Sequence, residues 1–222
     1  MSIRASASQP RGTPPARTAY RFSFVKQVHR LLAAGYARLK SSTLASKEET
    51  AITGLLVEKM REAIEGAKRL PWAAHFSVHD DRPISRAGAE GRDRPRIDIE
   101  VERTMPGPHP RFQFEAKRMH RGDSVAEYVG AEGLGAFLDA TYGASCAAAG
   151  MLAYVQNDSS AAWATKIENK LDKDRATHLI GAGPPVWTTV KLYDITTLVA
   201  YQTSHARAPV ALDVFHTFMK CF

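Results

Sequence analysis

Two stretches, RIDIEVER at 96–103 and RFQFEAKRM at 111–119, constrain this chain more than any other feature. In the first, Ile97, Ile99 and Val101 alternate with Asp98, Glu100 and Glu102. Side chains on a strand point to opposite faces in turn, so the apolar three are expected on one face and the acids on the other. In the second, Phe112 and Phe114 mark one face. The connection TMPGPHP, with Pro106, Gly107, Pro108 and Pro110, breaks the chain between them, and the whole reads as a hairpin.

The flanking segments change period. Phe24, Val28, Leu31, Leu32 and Leu39 recur at helical spacing between Tyr20 and Lys40. Ile52, Leu55, Leu56, Met60 and Ile64 make the stripe of a second helix, with Ser46 and Glu49 spaced as a capping box and Gly66 and Pro71 past its end. HFSVHD at 75–80 reads as a strand. After the hairpin come a helix from Ser124 to about Tyr142, a buried strand at 147–156, a polar helix at 160–176, a strand at 186–194, and one or two further strands in LVAYQTSHARAPVALDVFHTF. The order is α-α-β-β-β-α-β-α-β-β. The class is α/β or α+β, one mixed sheet with helices on both faces.

At 222 residues the chain fits one domain. The first eighteen residues, rich in Arg, Ser, Pro and Ala, read as a flexible basic arm, and 19–222 as a single domain. A transit peptide would share the Arg and Ser content, but Pro10, Pro14 and Pro15 break an amphipathic helix. No apolar run approaches the length of a membrane span. Cys146 and Cys221 are far apart, which fits a reducing, cytoplasmic setting and excludes a disulfide framework. The net charge of +7 attracts polyanions, but by itself it does not distinguish nucleic acid from a membrane surface or simple solubility.

On the second strand of the hairpin, Glu115 and Lys117 project to one side. Asp98 joins them only if residue numbers paired across the hairpin sum to an odd number. Two carboxylates and a backbone carbonyl suit a hard divalent cation such as Mg²⁺, with Mn²⁺ as a substitute. Such a cation neutralises charge at phosphorus and lowers the pKa of a bound water. A lysine beside it orients or helps deprotonate that water and stabilises the pentavalent charge.

With Asp98 on one strand, Glu115-Ala116-Lys117 on the next and an α-β-β-β-α-β order over 47–156, the sequence resembles the PD-(D/E)xK nuclease superfamily. FEAKRM, AGMLAYV and Tyr201-x-x-Ser204-His205-x-Arg207 are similar to small bacterial members associated with restriction or phage defence. Pro95 stands three residues before Asp98 rather than beside it, a departure from the family pattern. The resemblance implies a restriction-endonuclease-like core preceded by N-terminal helices, and a metal-dependent endonuclease acting on nucleic acid, with DNA favoured. It implies that Asp98, Glu115 and the carbonyl of Ala116 hold the metal, that Lys117 activates water, and that Glu49 holds metal through water or orients Lys117. Cleavage of both strands would imply a homodimer. The alternative is an inactive nucleic-acid-binding or regulatory module of the same fold.

Competing readings attach to each residue. The hairpin charges could pair only with one another. Glu49 could merely serve the capping box, and Glu100 and Glu102 are expected at the surface. Arg118, His120 and Arg121 are candidates for phosphate contact, or for a solvated loop. Glu168-Asn169-Lys170 repeats the E-x-K string on a polar helix and is read as a solvated face. Gly133-Leu134-Gly135 lacks the lysine of a phosphate-binding loop, so its glycines are expected to let a helix lie close to the sheet.

Overall fold

Two helices, α1 (Pro15–Tyr36) and α2 (Glu49–Glu65), precede a meander of three strands, β1 (Phe76–Pro83), β2 (Arg96–Arg103) and β3 (Arg111–Met119). Two short helices, α3 (Ser124–Val129) and α4 (Leu134–Leu138), lead to β4 (Ala148–Val155). The chain continues through α5 (Ser160–Lys173), β5 (Thr188–Val190), β6 (Leu198–His205) and β7 (Leu212–Lys220). The computed structural model describes residues 15–222 apart from 86–87, 105–108, 123, 184 and 196. Residues 1–14 of the expected arm and most of the TMPGPHP loop therefore lie outside the described residues, while 15–18 already belong to α1.

The strands form one mixed sheet in the order β1-β2-β3-β4-β7-β6-β5. β3, β4 and β7 run parallel, and the remaining pairs are antiparallel. A parallel step from β3 to β4 needs a crossover, which α3 and α4 supply. The expected class and the α-β-β-β-α-β order are both present. α1 and α2 cover one face, where Val28, Leu31, Leu32, Ile52, Leu56 and Met60 pack against Ile99, Val101, Phe112, Phe114 and Tyr154. α3, α4 and α5 cover the other through Tyr128, Leu134, Phe137, Trp163 and Ile167, against Ala149, Met151, Ala153 and Val155. β4 is buried along its whole length, which is why its sequence is a continuous apolar run. Among the described residues no helix is long and apolar enough to cross a membrane.

Several boundaries differ from the sequence reading. The helix expected from Ser124 to Tyr142 is broken into α3 and α4. At the break a Cβ on Gly133 would collide with the carbonyl oxygen of Tyr128, and with that of Glu127 at 2.7 Å. The glycine thus admits a tight turn between two helices, not a close approach to the sheet. The strand expected at 186–194 shortens to β5. Ser46 does not cap α2: the N-cap is Glu48, and no side chain closes that helix end.

Gly150 of β4 lies opposite Phe114 of β3. A Cβ there would overlap the Phe114 ring and come within 2.9 Å of Phe112 Cε1. Phe114 is fully buried, its ring 4.7 Å from that of Phe112 and 5.5 Å from that of His29. Gly150→Ala is accordingly expected to destabilise the fold by about 1–3 kcal/mol, as overpacking of a closed core does. Urea denaturation measures this; an unchanged midpoint would show that the ring cluster can yield.

Candidate active site

β2 and β3 pair only from Ile99↔Phe114 to Glu102↔Arg111. The paired numbers sum to an odd value, so the register is the one that turns Asp98 toward Glu115. β3 continues beyond that point alongside β4, as far as Met119↔Val155. β2 instead follows β1 to Arg96↔Pro83. The sheet therefore splits beside Asp98. Ile97 packs in the second core while Ile99 and Val101 pack in the first, contrary to the single face expected from alternation. Asp81, across from Asp98 in the β1–β2 ladder, adopts φ 48°. Both observations mark a turn of the hairpin about its axis at this position.

The split removes the strand partner from the β2-facing edge of β3, and two carboxylates take its place. Asp98 Oδ2 accepts from the Ala116 amide at 2.7 Å. Glu49 Oε2, from the first turn of α2, accepts from the Arg118 amide at 3.0 Å. A strand residue directs its N–H and C=O to the same edge, so the Ala116 carbonyl also leaves β3 on the Asp98 side. Lys117 Nζ donates to Glu115 Oε1 at 2.8 Å and to Glu49 Oε1 at 3.3 Å. The structure thus brings Asp98, Glu115, Lys117 and Glu49 together, with the backbone of Ala116 between them. Without a capping box to serve, Glu49 is free to face this cluster.

The electrostatics follow from burial. Glu115 is 5% exposed, and its pKa is pushed up to about 8 by burial and then by the charge of Asp98, with Lys117 opposing. Burial also raises Asp98, against the pull of the Ala116 amide and Lys117. Glu49 rises for the same reason, with Lys117 opposing and Asp98 adding to the shift. Burial alone would lower Lys117, but Glu115 and Glu49 outweigh it and hold the ammonium above its ordinary range. Glu115 Oε2 is buried and has no hydrogen-bond partner. Crowded carboxylates that resist ionising, with one bare oxygen, are an oxygen-donor site short of positive charge. A hard divalent cation fits that deficit, since Mg²⁺ is commonly held by one or two carboxylates and otherwise by water and substrate phosphate. Among the described residues no group of three or more His, Cys, Asp or Glu side chains is arranged to hold a metal. An ion here would rest on Asp98, Glu115 and the Ala116 carbonyl.

Glu100 and Glu102, expected at the surface, are buried. They sit where β2 and β3 remain paired. Arg82 reaches Glu100 at 2.6 Å and Glu102 at 3.2 Å, Gln113 donates to Glu100 at 2.7 Å, and Arg111 lies 3.4 Å from Glu102. Cross-strand partners satisfy them, so they stand outside the cluster. Of the phosphate-contact candidates, Arg118 pairs with Glu48 at 2.7 Å and Arg121 with Glu127 at 2.9 Å, while His120 Nδ1 is buried without a partner. Lys170 of the second E-x-K string, on α5, pairs with Asp174 just past the end of that helix, far along the chain from the cluster. His205 and Arg207 are structural: His205 bonds Thr203 and the His178 carbonyl, and Arg207 bonds the carbonyls of Phe137 and Cys146.

Tyr142 was not legible as part of this region. Its hydroxyl donates to the Arg96 carbonyl at 2.8 Å, two residues before Asp98. Burial and then the charges of Glu115 and Asp98 push that hydroxyl up to about 12. No protein-family model, curated protein or solved structure matches the chain.

Proposed function

We propose that the chain is a metal-dependent nuclease of the PD-(D/E)xK type, hydrolysing phosphodiester bonds in nucleic acid, with DNA favoured and a cytoplasmic setting. One observation carries the reading: two acids, a lysine and a helix-borne glutamate converge where β2 parts from β3. Asp98, Glu115 and the Ala116 carbonyl would hold Mg²⁺ or Mn²⁺. Such a cation supplies positive charge to a phosphoryl oxygen and acidifies water.

The chain's own groups do the rest. Lys117 is kept protonated by its two carboxylates, so it acts as a fixed positive charge. It orients the attacking water and stabilises charge that builds on the phosphoryl oxygens. Glu49 holds that ammonium in place and, through the Arg118 amide, ties it to β3. Arg118, His120 and Arg121 follow directly along the strand and its loop, where phosphates of a bound strand would pass.

The experiment is incubation of the protein with plasmid DNA, single-stranded DNA and RNA, in Mg²⁺, in Mn²⁺ and in excess chelator. Cleavage is expected in either metal and is expected to stop with chelator. Binding without cleavage in both metals would replace this reading with that of an inactive binding module. Binding that is insensitive to salt, or absent, would remove nucleic acid as the partner.

A further inference from the structure

α2 begins without a local cap, yet its first residue reaches both Lys117, at 3.3 Å, and the Arg118 amide, at 3.0 Å. Arg118 pairs with the N-cap Glu48, and a second support comes from more than a hundred residues away. Gln156, the first residue after β4, donates its side-chain amide to the carbonyls of Leu44 at 2.9 Å and Lys47 at 2.7 Å. Its own backbone N–H is fixed to the Met119 carbonyl at 3.1 Å. The next residue, Asn157, donates to the His120 carbonyl at 2.6 Å and accepts from the Trp163 indole at 2.8 Å. The segment 44–47 is itself folded back by the Lys47 amide bonding the Leu44 carbonyl. One side chain thus spans from the end of β3 and β4 to the chain entering α2.

The geometry points to Gln156 as a positioning residue that sets Glu49 against Lys117 and the Arg118 amide; this rests on the nuclease reading for its catalytic consequence. The amide is suited to the task because one NH₂ group offers two donors, and both are used on carbonyls of the same turn. A side chain without donors would leave the Lys47 carbonyl to water and the Leu44 carbonyl with the Lys47 amide alone, and would loosen the start of α2. Residues that orient a metal site from outside it commonly cost about 10–100-fold when removed.

The test uses Gln156→Met, which keeps the length and loses the donors, and Gln156→Ala, so that either folded variant decides. Two readouts are taken. In the metal-free protein, amide exchange at Arg118 is followed by NMR in Gln156→Met, in Glu49→Ala and in wild type. It is expected to accelerate about 10-fold or more in both variants, because both take the carboxylate away from that N–H. In the cleavage assay, the losses caused by Gln156→Met and Glu49→Ala are expected not to multiply in the double variant, since one acts through the other. An Arg118 amide as protected in Gln156→Met as in wild type would overturn the proposal, as would losses that multiply. Should the wild type cleave nothing, the nuclease reading falls, while the Arg118 exchange still decides whether Gln156 places Glu49.

Discussion

Lys117→Ala is expected to lower metal-dependent cleavage by about 10²–10³-fold, the range associated with loss of one positioned charge-stabilising group. The lysine is the only cation with hydrogen bonds to two of the cluster's carboxylates among the described contacts, at 2.8 and 3.3 Å. Its removal leaves Glu49 and Glu115 with no charge to neutralise them. The fold is nevertheless expected to survive near pH 7. Burial already favours the neutral form of Glu115, and loss of the ammonium would favour it further, which limits the cost of leaving that group without its partner. DNA affinity is expected to change little, because the side chain is 14% exposed and reaches toward carboxylates rather than outward. Lys117→Arg is not expected to rescue the rate, since a planar fork cannot occupy the position of a compact ammonium between two carboxylates. The assay is single-turnover cleavage with binding measured in parallel. Wild-type rates in Lys117→Ala would remove the lysine from the mechanism.

Acid is expected to destabilise the protein below about pH 6, before its exposed carboxylates are fully protonated, through three buried histidines. His29 lies among the rings of Phe112, Phe114, Tyr193 and Phe215, with Nδ1 on the Val25 carbonyl and Nε2 without a partner. His205 and His216 share the hydroxyl of Thr203, and His216 also bonds Tyr128. Burial pulls His29 and His205 down to about 4 and His216 down to about 3. Each is neutral when folded, whereas in the unfolded chain each takes a proton near 6.5. The unfolded state therefore binds more protons between those values. The stability these histidines contribute is fully present above pH 6.5 and falls as pH drops toward 4.

Each such group changes stability by about 1.4 kcal/mol per pH unit inside its window, so three together approach roughly 4 kcal/mol per unit. Glu115 works in the opposite direction: its folded pKa of about 8 lies above the unfolded value, so its penalty fades as pH falls from 8 to 4.5. Asp98 and Glu49, also raised by burial, act in the same direction as Glu115, so the net loss on acidification is smaller than the histidines alone would give. After this offset the net loss by pH 4.5 is a few kcal/mol, enough to unfold only a domain at the low end of the usual range of about 5–15 kcal/mol. Urea midpoints at pH 7, 6, 5.5 and 5 measure the slope. Stability that is flat or rising on acidification would show that the imidazoles are not held neutral.

Much of this arrangement can be read along the chain, for identifiable reasons. Alternation in RIDIEVER and RFQFEAKRM is a local property of extended backbone, and it places Glu115 and Lys117 on one side before any partner is known. The α2 stripe is equally local. Where the reading failed, a distant contact decided. Ser46 and Glu49 have the spacing of a capping box, but Gln156 captures the carbonyls just before α2, and Glu49 turns to β3. Glu100 and Glu102 look exposed in sequence because nothing there reveals that Arg82, Arg111 and Gln113 will flank them. The break between α3 and α4 depends on a close carbonyl contact at Gly133, which helical periodicity does not register.

The order of elements, the two-residue periodicity of the hairpin and the identity of the acids and the lysine belong to the sequence, because each depends only on neighbours a few residues apart. The parting of β2 from β3, the carboxylates that occupy the vacated amides and the raised pKa of Glu115 belong to the tertiary structure. They arise only when α2 and β4 close around the strand end, exclude water, and force like charges to share one lysine.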